Sequence, residues 1–152
     1  ASSAASDVYK RQSIECARMC PFGEVYAVEY KPEALDILEQ NKTRFQTKNL
    51  QIIAGRAEEQ VQHLPVPDCV FLGGSSGAAK QLVAGLRQLR QPVRLVASAV
   101  TMETQAELFP LLQELPQFEV VQLAVGCGKT VGNYHVLEGN HPVLLFSCMT
   151  KE

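Results

Sequence analysis

From Gly23 onward the chain alternates short apolar runs with segments of helical period, and that alternation leaves few folds open. Residues 25–29, 49–54, 68–72 and 93–99 read as strands, and residues 32–45, 56–63, 78–90 and 101–115 read as helices. A strand followed by a helix and another strand calls for parallel pairing through right-handed crossovers. Residues 68–72 are apolar throughout, the composition of a strand with both faces covered. The predicted class is α/β, a three-layer Rossmann-like arrangement. Thr104 to Glu107 fits a capping box for the last of these helices. Residues 118–125 and 142–147 are two late strands with no helix between them, so they pair antiparallel or meet through a long loop. The glycine-bearing stretch 126–140 has no helical period and reads as that loop. Residues 1–12 are small, polar and then basic, without a periodic apolar face, and are expected to be a loose or non-native head. Helical pattern starts near Ser13 and is stopped by Pro21 and Gly23.

At 152 residues, residues 13–152 match one domain, and a chain of this size buries roughly two thirds of its unfolded surface. A formal charge of −2 provides no general basic field for a nucleic-acid backbone, so no nucleic acid is expected as partner. The apolar runs fall well short of the ~20 residues of a membrane-spanning helix, and the head has no apolar core between charges. These features favour the cytoplasm. The five cysteines, Cys16, Cys20, Cys69, Cys127 and Cys148, contain no C-x-x-C pair and lack histidine neighbours, so buried reduced thiols are expected and no metal site.

Glu29 closes the first apolar run and stands directly before Tyr30, Lys31 and Pro32. In open α/β sheets ligands bind at the carboxyl ends of strands, where an acid can accept ribose hydroxyls. The alternative reading is an acid matched to the dipole of the following helix. The turn from Gly73 through Gly74, Ser75 and Ser76 to Gly77 offers backbone N–H groups for a phosphate or cofactor, though no Lys-Ser or Lys-Thr follows at P-loop spacing. Formally it also satisfies G-x-S-x-G around Ser75, but no acid and histidine partner it convincingly. Tyr134 and His135 are candidates for proton transfer or substrate hydrogen bonds, or simply for packing in a loop. Lys129, beside Gly126 and Gly128, suits a carboxylate-bearing ligand or a solvated turn.

The segments SIECAR, GEVYAVEYKPEALDILEQN, NLQIIAGRAEE, PDCVFLGGSSG, RLVASAVTMET and NYHVLEGNHPVLLFS together resemble the decarboxylating precorrin methyltransferases of cobalamin biosynthesis, the subunit or domain acting at carbon 15. The resemblance implies a class I methyltransferase sheet of seven strands, mostly parallel with a C-terminal antiparallel hairpin, and S-adenosyl-L-methionine as cofactor. It implies that Glu29 holds the ribose, with Tyr30 beside it, that Arg56 and Ala57 flank the adenine, and that Gly73 and Gly74 lie beneath the cofactor. Ser75, Thr101, Glu103, Tyr134 and His135 become candidates for orienting a tetrapyrrole (precorrin) substrate. A homo-oligomer or a fusion with a second corrin methyltransferase domain is a further expectation.

Two positions depart from the family pattern. Where the family carries a glycine-rich loop before the SIECAR helix, this chain has Asp7 to Gln12 with no glycine, and residues 1–6 hold no counterpart of the first strand; the expectation is a domain incomplete at its N-terminus. Arg56 stands where the family commonly has an acid able to accept the adenine amino group, and arginine only donates. A sulfonium methyl is already activated, so alignment and desolvation are expected to supply most of the rate. The alternatives are a Rossmann-type NAD(P) oxidoreductase, which needs a G-x-G-x-x-G absent here, and a non-catalytic binding domain that keeps the fold.

Overall fold

The computed structural model describes residues 3–73 and 77–152, with side chains from residue 11 onward. It forms two compact units, Ala1–Pro65 and Val66–Glu152.

The first unit contains helix α1 (Ser3–Met19), strand β1 (Val25–Glu29), helix α2 (Pro32–Phe45), strand β2 (Leu50–Ala54) and the single turn α3 (Ala57–Gln60). Helix α1 begins at Ser3, well ahead of the start near Ser13 that the apolar pattern suggests. Residues 3–12 contain no proline or glycine and include good helix formers, so propensity extends the helix where periodicity is silent. Ile14 and Ala17 from α1, Ala27 from β1, Leu38 from α2 and Leu50 from β2 make the core, with Val25, Phe45 and Ile52 packed against it. Strands β1 and β2 pair in parallel, from Val25 opposite Leu50 to Glu29 opposite Ala54, so Glu29 lies on the carboxyl edge.

Asn49 stands just before β2 and ties it to the end of α1. Its amide nitrogen donates to the carbonyls of Ala17 and Cys20 at 2.9 Å and of Gly23 at 3.1 Å. Pro32 opens α2, where its missing N–H costs nothing, and Gln46 closes it in the left-handed region at φ 54, its N–H meeting the carbonyls of Lys42 and Thr43.

The second unit contains β3 (Cys69–Gly73), α4 (Ala79–Gln88), β4 (Arg94–Ala99), α5 (Met102–Leu112), β5 (Glu119–Leu123), β6 (Gly126–Val131), β7 (Tyr134–Gly139) and β8 (Val143–Met149). Four of its strands form a sheet in the order β3-β4-β8-β5. Strands β3 and β4 run parallel, while β8 runs antiparallel to both β4 and β5. The late strands with no helix between them thus pair antiparallel. Strand β4 buries Leu95, Ala97 and Ala99 in alternation. Leu82, Val83 and Leu86 of α4, Leu108 and Leu112 of α5, and Phe146 and Cys148 of β8 are buried too. Thr150, also buried, accepts the Val93 N–H on its hydroxyl at 3.0 Å and donates its own N–H to the Val93 carbonyl at 2.9 Å.

Three expectations change. Strand β3 is half-buried rather than covered on both faces, since among the described residues it pairs with β4 alone. Residues 126–140 are not a loop: β6 and β7 form an antiparallel hairpin, turned at Gly132 and Asn133 with Gly132 at φ 60. A glycine in that position suits a two-residue II′ turn. Every residue of both strands is exposed, so neither face carries the alternation that betrays a half-buried strand. Lastly, of the five free cysteines only Cys148 is buried; Cys20, Cys69 and Cys127 are exposed and Cys16 is half-buried. Among the described residues no helix is long and apolar enough to cross a membrane.

Candidate functional site

The carboxyl edge of β1 carries the densest set of expected residues. Glu29 Oε1 accepts the backbone N–H groups of Tyr30 at 2.8 Å and Lys31 at 2.9 Å. Two amide donors hold the carboxylate in place and leave Oε2 with no hydrogen-bond partner among the described residues. The carbonyl of Glu29 accepts the N–H of Gly55 at 2.9 Å. Arg56 and Ala57 follow immediately, which fixes them beside the end of β1. Gly55 has φ 144, a conformation other residues rarely adopt, and a Cβ there would stand 2.7 Å from the Gln60 side-chain nitrogen.

The Tyr30 ring, 45% exposed, carries the Arg56 guanidinium on its face at 4.9 Å and has the Lys31 ammonium at 5.8 Å. Glu58 approaches Arg56 Nη1 at 3.8 Å, with a side chain only 23% exposed against 56% for Arg56. Glu58 and Lys31 are members of this group that the sequence did not single out; Lys31 was within reach as the second residue after the strand-end acid. Ala57 opens α3 and is half-buried. The group offers one open carboxylate oxygen, Oε2 of the clamped Glu29, an aromatic face and a cationic fork, which can meet a hydroxyl, a flat ring and hydrogen-bond acceptors.

Residues 7–12 lie within α1. Their N–H groups enter the helix ladder, so this segment does not present the open amides of a glycine loop.

In the second unit Gly73 ends β3 opposite Ser98 of β4, and Thr101 and Glu103 follow the end of β4, on the same carboxyl edge. Gly74 and Ser75 lie outside the described residues. Thr101 is the N-cap of α5: its hydroxyl accepts the Thr104 N–H at 3.2 Å and meets the Thr104 hydroxyl at 3.0 Å. The cap therefore sits at Thr101 rather than Thr104, and Glu103 falls in the first turn, where the dipole favours an acid.

Tyr134 and His135 open β7 and are exposed. They are not brought together: Tyr134 pairs with Val131 and His135 with Thr130, and successive strand residues point to opposite faces. Lys129 is not an open cation either, since its ammonium lies 3.1 Å from both oxygens of Glu138. Among the described residues no group of three or more histidine, cysteine, aspartate or glutamate side chains is placed to hold a metal.

Comparison with known proteins bears on these groups. A model of the precorrin methyltransferase domain matches residues 12–150. The chain is 30% identical over 143 residues to the cobalt-precorrin-6B C(15)-methyltransferase (decarboxylating) of Salmonella typhimurium, covering 92% of this chain and 73% of that protein. The crystal structure of precorrin-6y C5,15-methyltransferase from Geobacter metallireducens superposes with TM-score 0.80 at 28% identity, covering 90% of this chain and 74% of that one. A S-adenosylmethionine-dependent O-methyltransferase from Thermotoga maritima, 20% identical with TM-score 0.64 over 87% of this chain and 52% of its own, shares the fold. None of these three is an oxidoreductase.

Proposed function

Because the chain belongs to the precorrin methyltransferase domain family, we propose that it is an S-adenosylmethionine-dependent enzyme that methylates and decarboxylates a precorrin or cobalt-precorrin in cobalamin biosynthesis. The observation that carries this reading is Glu29. Its carboxylate stands at a strand's carboxyl edge with one oxygen fixed by two amides and the other open to a ribose hydroxyl. When bound, S-adenosylmethionine supplies a methyl group on a positively charged sulfur, already activated for attack by an electron-rich ring carbon.

The chain's own contribution is positioning. Glu29 accepts from the ribose, the Tyr30 ring and Ala57 offer apolar surface to the base, Gly73 ends β3 without a side chain to block close approach, and Gly74 is assigned to the cofactor with it. Thr101, Glu103, Ser75, Tyr134 and His135 are assigned to polar contacts with the substrate. Held carboxylates and an aligned ring carbon raise the rate by removing rotational freedom, without a nucleophilic side chain. Five free cysteines fit a reducing compartment, in keeping with a cytoplasmic site of action. Exposed Val121, Leu123, Val131, Val136 and Leu137 support self-association into a homo-oligomer, which sedimentation at several concentrations reads directly.

The decisive experiment is titration calorimetry with S-adenosyl-L-homocysteine on the wild type and on Glu29→Ala. A hydrogen bond to a charged group is worth about 1.5–3 kcal/mol, so the variant is expected to bind roughly ten- to hundredfold more weakly. Unchanged affinity overturns the role of Glu29. Absence of labelled methyl transfer to a precorrin by wild-type protein that binds the nucleoside overturns the activity.

A further inference from the structure

We infer that the end of α1 binds copper(I) through three sulfur donors, the thiolates of Cys16 and Cys20 and the thioether of Met19. Ile14 and Ala17 give α1 its core face. A helix advances about 100° per residue, so Cys16, Met19 and Cys20 fall within an arc of about 100° on the side away from that face. Cys20 lies one residue past the end of α1, yet its N–H still meets the Cys16 carbonyl at 3.1 Å and the Ala17 carbonyl at 3.3 Å. Helical spacing therefore holds as far as the second thiol. Side chains on a helix lean toward its N-terminus, which carries Met19 and Cys20 over the turn that bears Cys16. Asn49 fixes the same stretch by donating to the carbonyls of Ala17 and Cys20, each at 2.9 Å. Met19 is 82% exposed, Cys20 is exposed and Cys16 half-buried, so an ion reaches the group from solvent.

Residues three and four apart on a helix stand about 5–6 Å from each other at Cβ. A disulfide needs about 3.5–4.5 Å, so Cys16 and Cys20 are set too wide for a direct bond within this turn. One ion between the sulfurs spans the gap, with metal–sulfur bonds of about 2.3 Å, the length a thiolate makes to zinc. Zinc itself asks for four ligands, and the adjacent carboxylate, Glu15, is turned to Arg18 at 3.2 Å. Thiolate and thioether without nitrogen or oxygen form a donor set that selects copper(I). Burial, and after it the charge of Cys20, pushes the Cys16 thiol up, which agrees with the two thiols being neighbours. Binding exchanges two thiol protons for one cuprous ion, with no change in oxidation state. The Asn49 carbonyl accepts the Val25 N–H at 2.9 Å, which puts this group at the amino end of β1. Glu29 closes the other end, so the metal site is separate from the cofactor edge.

The test is competition for copper(I) between the full, reduced chain and bicinchoninate, followed by loss of the coloured complex. Wild type, Cys16→Ser, Cys20→Ser, Met19→Leu and the double variant Cys69→Ser/Cys127→Ser are compared. The double variant removes the other two exposed thiols and is expected to keep one tightly bound equivalent, as the wild type does. Cys16→Ser and Cys20→Ser are each expected to weaken that equivalent about hundredfold or more, and Met19→Leu about tenfold. X-ray absorption of the bound ion is expected to show sulfur neighbours alone. Met19 points into solvent, so its replacement by leucine leaves the fold intact and keeps the comparison decisive. Absence of tight binding by the wild type, or binding unchanged in Cys16→Ser or Cys20→Ser, overturns the site. Affinity unmoved in Met19→Leu overturns the three-donor assignment.

Discussion

Single side chains hold the two units at places where the backbone alone would not. Thr150 satisfies the N–H of Val93 from a fully buried position, so Thr150→Val is expected to leave that donor orphaned and lower stability by about 1–3 kcal/mol in urea unfolding. Thr150→Ser should retain most of it. Asn49 ties three carbonyls of the α1 to β1 connection, and Asn49→Ala is expected to cost a similar amount. Cys148 introduces a pH dependence: burial pushes its thiol above the ordinary range, against a smaller opposing effect of Arg94. Below the unfolded chain's thiol value both states are protonated and stability is intact. As pH rises through it the unfolded chain ionises first, and stability falls. Comparing urea unfolding near about pH 8 and about pH 10 should show a decline that is shallower in Cys148→Ala.

Among elements, legibility followed burial. Strand β4 and helix α4 announce themselves because their alternation and period face a core, as Leu95, Ala97, Leu82 and Leu86 show. The start of α1 has no apolar period in its sequence, and the hairpin of β6 and β7 carries no such signal because every one of its strand residues is exposed. The strand-end acid was visible as a candidate from position alone; the amide clamp on its Oε1, the approach of Glu58 and the separation of Tyr134 from His135 depend on backbone geometry and register that residue types do not encode. The ends of α2 and α5 allow direct tests. Gln46 holds the left-handed C-cap conformation at φ 54, which costs a side-chain-bearing residue energy that glycine avoids. Gln46→Gly is expected to be stabilising or neutral, by up to about 1 kcal/mol, in thermal unfolding. Thr101→Ala removes the N-cap bond of α5 and is expected to cost about 1 kcal/mol, with Thr101→Asp close to wild type.

Across the whole molecule, alternation of strand and helix was sufficient to specify an α/β fold with parallel pairs, and the missing helix before β8 left antiparallel pairing or a long loop, of which the structure has the antiparallel pair. Those signals survive because crossovers and hairpins differ in the length of chain they need. The hairpin of β6 and β7, with every side chain exposed and its only ion pair between Lys129 and Glu138 among the described residues, carries its own physical consequence. A two-stranded ribbon without a buried face is marginal in water, so its opening does not wait for the core to melt. Amide protons of Gly126–Val131 and Tyr134–Gly139 are expected to exchange with solvent through local fluctuations, orders of magnitude sooner than those of Arg94–Ala99. Anything that seats a surface on this ribbon, substrate or second copy, would register first as slowed deuterium uptake there.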